Sequence, residues 1–403
     1  MKMNDVVIVG ALRTALGKYG GTLANMPHYE MAAVLLREMV KRTGIDPASV
    51  DDVIMGSIFQ TGHYPNVARQ AVFRAGFPVE VPGTTVDRQC ISGLESIAMA
   101  KRTIQVSDGS IILAGGAENM SNLVYYVTNA RWGYRMGNAT FYDTWVHGST
   151  TVSGPEEMFG YAPMPMTAEN VAEKYNISRG EMDEYSLESQ HKACKAIDEG
   201  RFKDEIVPLE VKQKKQTIIF DTDEYPRRDT TLETLSKLAP IIKKDGKVTA
   251  GNSCGINDGA ALLALMSEEK ARELGIKTRA VLRAYAVAGV DPRYMGIGPV
   301  PAAAKALSKS GLTWSDIDLV ELNEAFAAQA IACIRGWKEQ GLKRTDHINV
   351  NGSGIALGHP IGCTGTRIMV SLLYEMEKRD LKRGLAAACV GGGMGGAFIM
   401  ERQ

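Results

Sequence analysis

The sequence predicts an α/β protein made of two duplicated halves, with sheets and helices stacked in layers and a separate segment inserted between the halves. Three observations lead there. GIDPASVDDVIMG (44–56) aligns without a gap on GLTWSDIDLVELN (311–323), each with a glycine stop, a polar turn, an aspartate and an apolar strand. A helix-patterned stretch with basic residues precedes each copy, MAAVLLREMVKRT in one and AAAKALSKS in the other. From about 122 to 256 the alternation of strand and helix breaks, and aromatics crowd YYVTNARWGYRMGNATFYDTW.

In chain order, VVIVG reads as a first strand and MAAVLLREMVKRT as the helix that returns from it. The extended run Gly83 to Val86 then gives way to a helix pattern from Ile91 to Val106. SGLESIAMAK (92–101) has the helical period of TGTRIMVSLL (364–373), and each leads to a strand ending in glycines, ILAGG and ACVGG. Strands alternating with helices in two related halves imply layered packing, with ligands bound at loop ends where the halves meet. The expected organisation is 1–121 as the N-terminal half, 122–256 as an inserted loop or lid domain, 257–275 as a return to the first half and 276–403 as the C-terminal half. The insert is too apolar and aromatic for a disordered linker.

The 403 residues carry 46 basic and 46 acidic side chains, a formal net charge of +0. No field is available to gather nucleic acid or an anionic membrane, so anionic ligands must be met by local basic groups. MKMNDVVIVGALRT has no charged-then-apolar leader, and no run approaches about 18 apolar residues. A cytoplasmic protein with no membrane partner is expected. The six cysteines (Cys90, Cys194, Cys254, Cys333, Cys363, Cys389) show no C-x-x-C pair and no zinc spacing, which suits free thiols without a metal.

Cys90 stands where the extended run meets the helix pattern, so its side chain is expected at a helix amino end. Unpaired N–H groups and the positive end of the helix dipole favour the thiolate there. The glycine runs GSGIALG and GGGMGG superficially suggest nucleotide loops. Neither has the G-x-x-x-x-G-K-[ST] form, nor G-x-G-x-x-G after a first strand, so NAD and ATP are not expected.

Four segments carry the chemistry: VDRQCISGLESI (86–97), ELNEAFAAQA (321–330), NVNGSGIALGHPIGCTGTR (349–367) and ACVGGGMGG (388–396). With AGGAENMS (114–121), MTAENVAEKY (166–175), VTAGNSCGINDGA (248–260) and MGIGPVPA (295–302), they resemble the thiolase family along nearly the whole chain. The resemblance implies an α-β-α-β-α layering. It implies Cys90 as the nucleophile that takes the acyl group, His359 as the base for its proton, and Cys389 as the base at the α-carbon. Asn323, acting through a water with His359, is implied as one oxyanion site, and the N–H groups of Cys90 and Gly391 as the other. For coenzyme A, a substrate and product rather than a cofactor, it implies Arg227 at the nucleotide end and Ala250 and Cys254 along the pantetheine. Met164, Met295 and Phe326 are implied near the acyl group.

Two residues depart from the family pattern: Cys254 stands where serine is usual, and Pro163 where short-chain biosynthetic members often have histidine. A thiol keeps the bulk but hydrogen-bonds more weakly. The resemblance implies an acyltransferase that condenses two acetyl-CoA to acetoacetyl-CoA, or cleaves a 3-ketoacyl-CoA, assembled as a homodimer or homotetramer. The alternatives are a longer-chain 3-ketoacyl-CoA thiolase, a ketoacyl synthase, which uses one Cys with His–His or His–Asn, and a non-catalytic acyl-CoA or lipid binder.

Overall fold

A computed structural model describes residues 4–59, 65–151, 154–213 and 216–403. The first half contributes strands β1 (Val6–Thr14), β2 (Asp52–Gly56), β3 (Gly83–Val86), β4 (Ile111–Asn119) and β5 (Asn257–Ser267). The second contributes β6 (Ala280–Gly289), β7 (Leu319–Leu322), β8 (Arg383–Val390) and β9 (Met394–Glu401). In space the first half runs β3-β2-β4-β5-β1, with the β2 pairings parallel and the β4-β5 and β5-β1 pairings antiparallel. The second half repeats this as β7-β8-β9-β6, and a parallel bridge from Val320 to Ile348 stands where β3 stands in the first. The halves touch through β1 and β6, at Val7 with Val281 and Ile8 with Ala280.

Alternation along the strands builds the layers. In β4 and β5, Leu113, Leu262 and Ala264 face outward onto helices α1 (His28–Thr43) and α2 (Val67–Ala75), while Ile112, Ala114 and Leu263 face inward. The inward core continues through α3 (Ser92–Gln105) to the second sheet, where Ala386, Ala388, Phe398 and Met400 face it. Further along the chain come α4 (Met164–Lys174), α5 (Arg179–Asp198), α6 (Pro299–Ser310), α7 (Ala327–Glu339) and α8 (Ile361–Lys378). Leu385, Ala387 and Ile399 turn to the outer face, packing with Ala302, Ala303 and Ala306 of α6 and with Cys333 and Trp337 of α7. Helices α3 and α8 thus form the middle of five layers. Every residue of α8 from Ile361 to Leu373 is buried, as a helix between two sheets must be.

The inserted region divides in two. Helices α4 and α5 are packed, the latter opened by a capping box of Ser178 and Glu181. The aromatic stretch before them is exposed in the single chain, with Trp132 at 88% and Met136 at 92%.

Candidate active site

Two helix amino ends meet in the middle layer. Cys90 lies two residues before α3, and His359 two residues before α8. Their helices touch backbone to backbone: a Cβ on Gly93 would lie 2.7 Å from the Thr366 nitrogen, and one on Gly365 would lie 2.5 Å from the Leu94 nitrogen. Only glycine allows that approach, and it brings the two helix starts together.

Local geometry then aims each side chain. Gln89 has φ of 50°, a left-handed conformation uncommon for a residue with a side chain, and it turns the chain sharply at Cys90. The turn is held by the Gln89 N–H donating to Asp87 Oδ1 at 2.8 Å and by Ser92 Oγ donating to the Gln89 carbonyl at 2.7 Å. On the other side, Gly358 has φ of 104°, and a Cβ there would fall 2.3 Å from Asn257. The same Asn257 accepts the His359 backbone N–H at 3.1 Å.

The half-buried Cys90 thiol takes hydrogen bonds from the N–H groups of Gly391 and of Cys90 itself. Those bonds favour the thiolate, as the helix-end position predicts, but burial outweighs them and pushes the thiol up to about 11. The balance favours the neutral thiol, whose proton a base such as His359 must take. His359 is buried, and burial, with the Arg367 charge second, pulls its imidazole down to about 3, so the ring is neutral. Its Nδ1 lies 2.6 Å from Thr364 Oγ1.

Cys389 occupies the end of β8, just before the Gly391–Gly393 turn, in which Gly392 and Gly393 have φ of 79° and 77°. Burial, and after it the neighbouring Cys90, Cys333 and Cys254, hold the Cys389 thiol well above its ordinary range. Burial and then Cys90 push Cys254 up to about 12. These effects place Cys90, Cys254 and Cys389 in one neighbourhood. Asn323 is fully buried after β7, and neither amide atom has a hydrogen-bond partner in the protein. Leaving a buried amide unpaired is costly, so the position suits a water or a ligand.

Met295, Phe326 and Cys389 share one apolar cluster, against which Met164 and Cys254 pack. Pro163 is buried immediately before α4. Arg227 and Ala250 line a cavity of 170 Å³ with Gln190, Tyr225, Gly251 and Ile355. Ile355 also belongs to the apolar cluster that contains Cys389, so that cavity borders the cluster. All six cysteines are free, and among the described residues no group of three or more His, Cys, Asp or Glu is placed to hold a metal ion. Among the described residues no helix is long and apolar enough to cross a membrane.

The sequence reading did not single out Gln190, Tyr225, Ile355 or Thr364. Thr364 had a readable signal, since it falls one helical turn beyond the GHP segment. It also missed Glu118, whose buried carboxylate accepts from Ser57 Oγ at 3.1 Å and from the N–H groups of Ile58, Phe59 and Gly362 at 3.0, 3.2 and 2.9 Å. It thereby ties the first half to the start of α8.

Two sheet halves of matching topology around two central helices, with Cys90 and a neutral His359 at the helix starts and Cys389 at the end of β8, define an α/β protein equipped for acyl transfer through cysteine. The chain belongs to the thiolase family: residues 6–269 match the thiolase N-terminal domain and residues 276–402 the thiolase C-terminal domain. An acetyl-CoA acetyltransferase of Syntrophomonas wolfei is 50% identical over 401 residues, covering 98% of this chain and 99% of that protein. The crystal structure of the Bacillus anthracis acetyl-CoA acetyltransferase matches with a TM-score of 0.95 at 45% identity over 100% of both chains. The human mitochondrial 3-ketoacyl-CoA thiolase in complex with CoA matches with a TM-score of 0.92 at 40% identity, over 100% of this chain and 99% of that one.

Proposed function

We propose that the protein is an acetyl-CoA acetyltransferase, which joins two acetyl-CoA into acetoacetyl-CoA and CoA and runs the reverse cleavage. The observation that carries this reading is the nearness of the Cys389 thiol, at the end of β8, to Cys90, which shares paired helix starts with a neutral His359. A ketoacyl synthase uses one Cys with His–His or His–Asn instead of two cysteines, so the presence of Cys389 favours this reading.

In the first half-reaction His359 takes the Cys90 proton as Sγ attacks the acetyl carbonyl and passes it to the departing CoA sulfur as the acetyl-cysteine forms. The N–H groups of Cys90 and Gly391 already converge on Sγ, where they can donate to the oxyanion of the bound acyl group. In the second, Cys389 gives its proton to the again neutral His359 and, as a thiolate, removes the α-proton of another acetyl-CoA. Asn323, through a water, and the protonated His359 hold the enolate oxygen while its carbon attacks the acetyl-cysteine and expels the Cys90 thiolate, which takes the proton back from His359. The high thiol position of Cys389 suits a strong base ionised only in the loaded site. Arg227 and Ala250 would hold the nucleotide and pantetheine of CoA, and no bound cofactor takes part.

Cleavage is the downhill direction, so metabolite levels decide which way the enzyme runs. The second reading, a longer-chain 3-ketoacyl-CoA thiolase, draws support from Cys254 and the buried Pro163, which make the acyl end of the pocket drier. Homodimer or homotetramer assembly is proposed because Trp132, Met136 and Phe141 are exposed and β3 leaves one edge unpaired among the described residues. A cytoplasmic setting and the division at about 121, 256 and 275 belong to the same proposal. Acetoacetyl-CoA thiolysis by the purified protein tests the activity, and its absence would overturn the reading.

A further inference from the structure

We infer that Thr364 is a positioning residue that fixes the proton of His359 on Nδ1 and thereby leaves Nε2 bare to act as the base. The inference rests on the thiolase reading of the site for its purpose, but not for its geometry. Thr364 is fully buried in the first turn of α8, and its Oγ1 makes two short contacts, 2.6 Å to His359 Nδ1 and 2.9 Å to the Pro360 carbonyl.

A hydroxyl has one proton to give. The Pro360 carbonyl can only accept, and a threonine in a helix characteristically donates to the carbonyl four residues back. With its proton spent there, Oγ1 meets Nδ1 through a lone pair, so Nδ1 must carry the hydrogen. The opposite tautomer would set two bare oxygens 2.9 Å apart and put a proton on Nε2, which then could not receive one from Cys90. The same bond serves the next stage. Once Nε2 has taken the Cys90 proton, the ring is an imidazolium whose Nδ1–H still rests on an uncharged oxygen. Nε2–H is then free to donate to a substrate oxygen.

A hydroxyl in this place differs from a carboxylate. It orients the ring without a full negative charge to stabilise the imidazolium, so thiol and imidazole stay neutral until substrate arrives. That fits the neutral thiol at Cys90.

The direct test needs no variant: nitrogen-15 NMR of histidine-labelled enzyme, with His359 assigned by its loss in a His359→Asn protein, shows which ring nitrogen carries hydrogen. A hydrogen on Nδ1 is expected, and a hydrogen on Nε2 overturns the inference whatever the enzyme's activity. Thr364→Val keeps the shape and removes the lone pair. It is expected to shift the ring toward the Nε2–H form and to lower kcat for acetoacetyl-CoA thiolysis by between about 10-fold and 10⁴-fold, the upper bound being the cost of a wrong tautomer in a catalytic triad. Thr364→Ser, which keeps the oxygen, should restore both signals. Wild-type kcat in a folded Thr364→Val protein, or a Thr364→Ser protein as impaired as Thr364→Val, would refute it. An inactive wild-type protein with Nδ1–H would instead defeat the thiolase reading and leave the tautomer assignment standing.

Discussion

Replacing Asn323 with alanine should separate stability from catalysis in a direction unusual for a buried polar residue. The Asn323 side chain is fully buried, and neither Oδ1 nor Nδ2 meets a protein partner. In proteins an unpaired buried amide costs about 1–3 kcal/mol. Asn323→Ala removes that cost and gives up about 1 kcal/mol of packing. The variant should unfold between the wild-type free energy and about 2 kcal/mol above it; a water held by the amide in solution moves the result toward zero. Asn349 provides the contrast within the same fold. It is equally buried, but its Oδ1 accepts the Leu322 N–H at 2.7 Å, and its Nδ2 donates to the Leu322 carbonyl at 2.9 Å and to Glu324 Oε1 at 2.8 Å. Losing two neutral bonds and one to a carboxylate, Asn349→Ala should lose about 3–5 kcal/mol. Urea unfolding of both variants measures the difference, and acetoacetyl-CoA thiolysis measures the catalytic side. For Asn323→Ala, kcat should fall about 10²–10³-fold, the ordinary effect of removing one oxyanion donor. A loss of more than about 2 kcal/mol with kcat preserved would show that Asn323 is a structural residue.

Cys389→Ala should keep exchanging acetyl groups between CoA molecules while condensation falls by about 10²–10⁴, the usual cost of a lost general base; equal losses in both assays would refute the division of labour between the thiols. Because burial holds the Cys90 thiol up at about 11, its ionised fraction should still be rising above pH 9, so its alkylation by iodoacetamide should climb through pH 9 without a plateau; a plateau near pH 7 would mean a resting thiolate. Comparing kcat/KM for four-carbon and six-carbon 3-ketoacyl-CoA should favour four carbons, since Met164, Met295 and Phe326 converge beside Cys389. A preference for six carbons beyond tenfold would support the longer-chain reading, each extra buried methylene being worth about 0.8 kcal/mol.

What was legible in the sequence depended on distance along the chain. The duplication showed in the 44–56 and 311–323 copies because a turn followed by a strand leaves a compact local pattern, and the topology repeats four of the five strands. The helix-end position of Cys90 showed for the same reason. The ionisation of Cys90 did not, because the burial that decides it comes from layers brought together across hundreds of residues. Thr364 was overlooked because its spacing from the GHP segment is readable but the contact of its hydroxyl with His359 Nδ1 is made only in the folded turn. Glu118 joins two halves that the chain writes 244 residues apart at Gly362, and only the folded arrangement shows the bond. The aromatic stretch from Tyr125 to Trp145 was legible as a break in pattern, but its exposure in the single chain was not, since aromatic composition resembles that of a core.

Everything proposed for the site turns on Cys90 receiving the acyl group. Incubating the protein with acetyl-CoA, quenching in acid and mapping the digest by mass spectrometry tests this directly. An added acetyl group on the peptide that carries Cys90, absent from the five other cysteines and lost on adding free CoA, is the predicted result. Acetyl found mainly on Cys389, or on no cysteine in a folded protein that cleaves acetoacetyl-CoA, would contradict it.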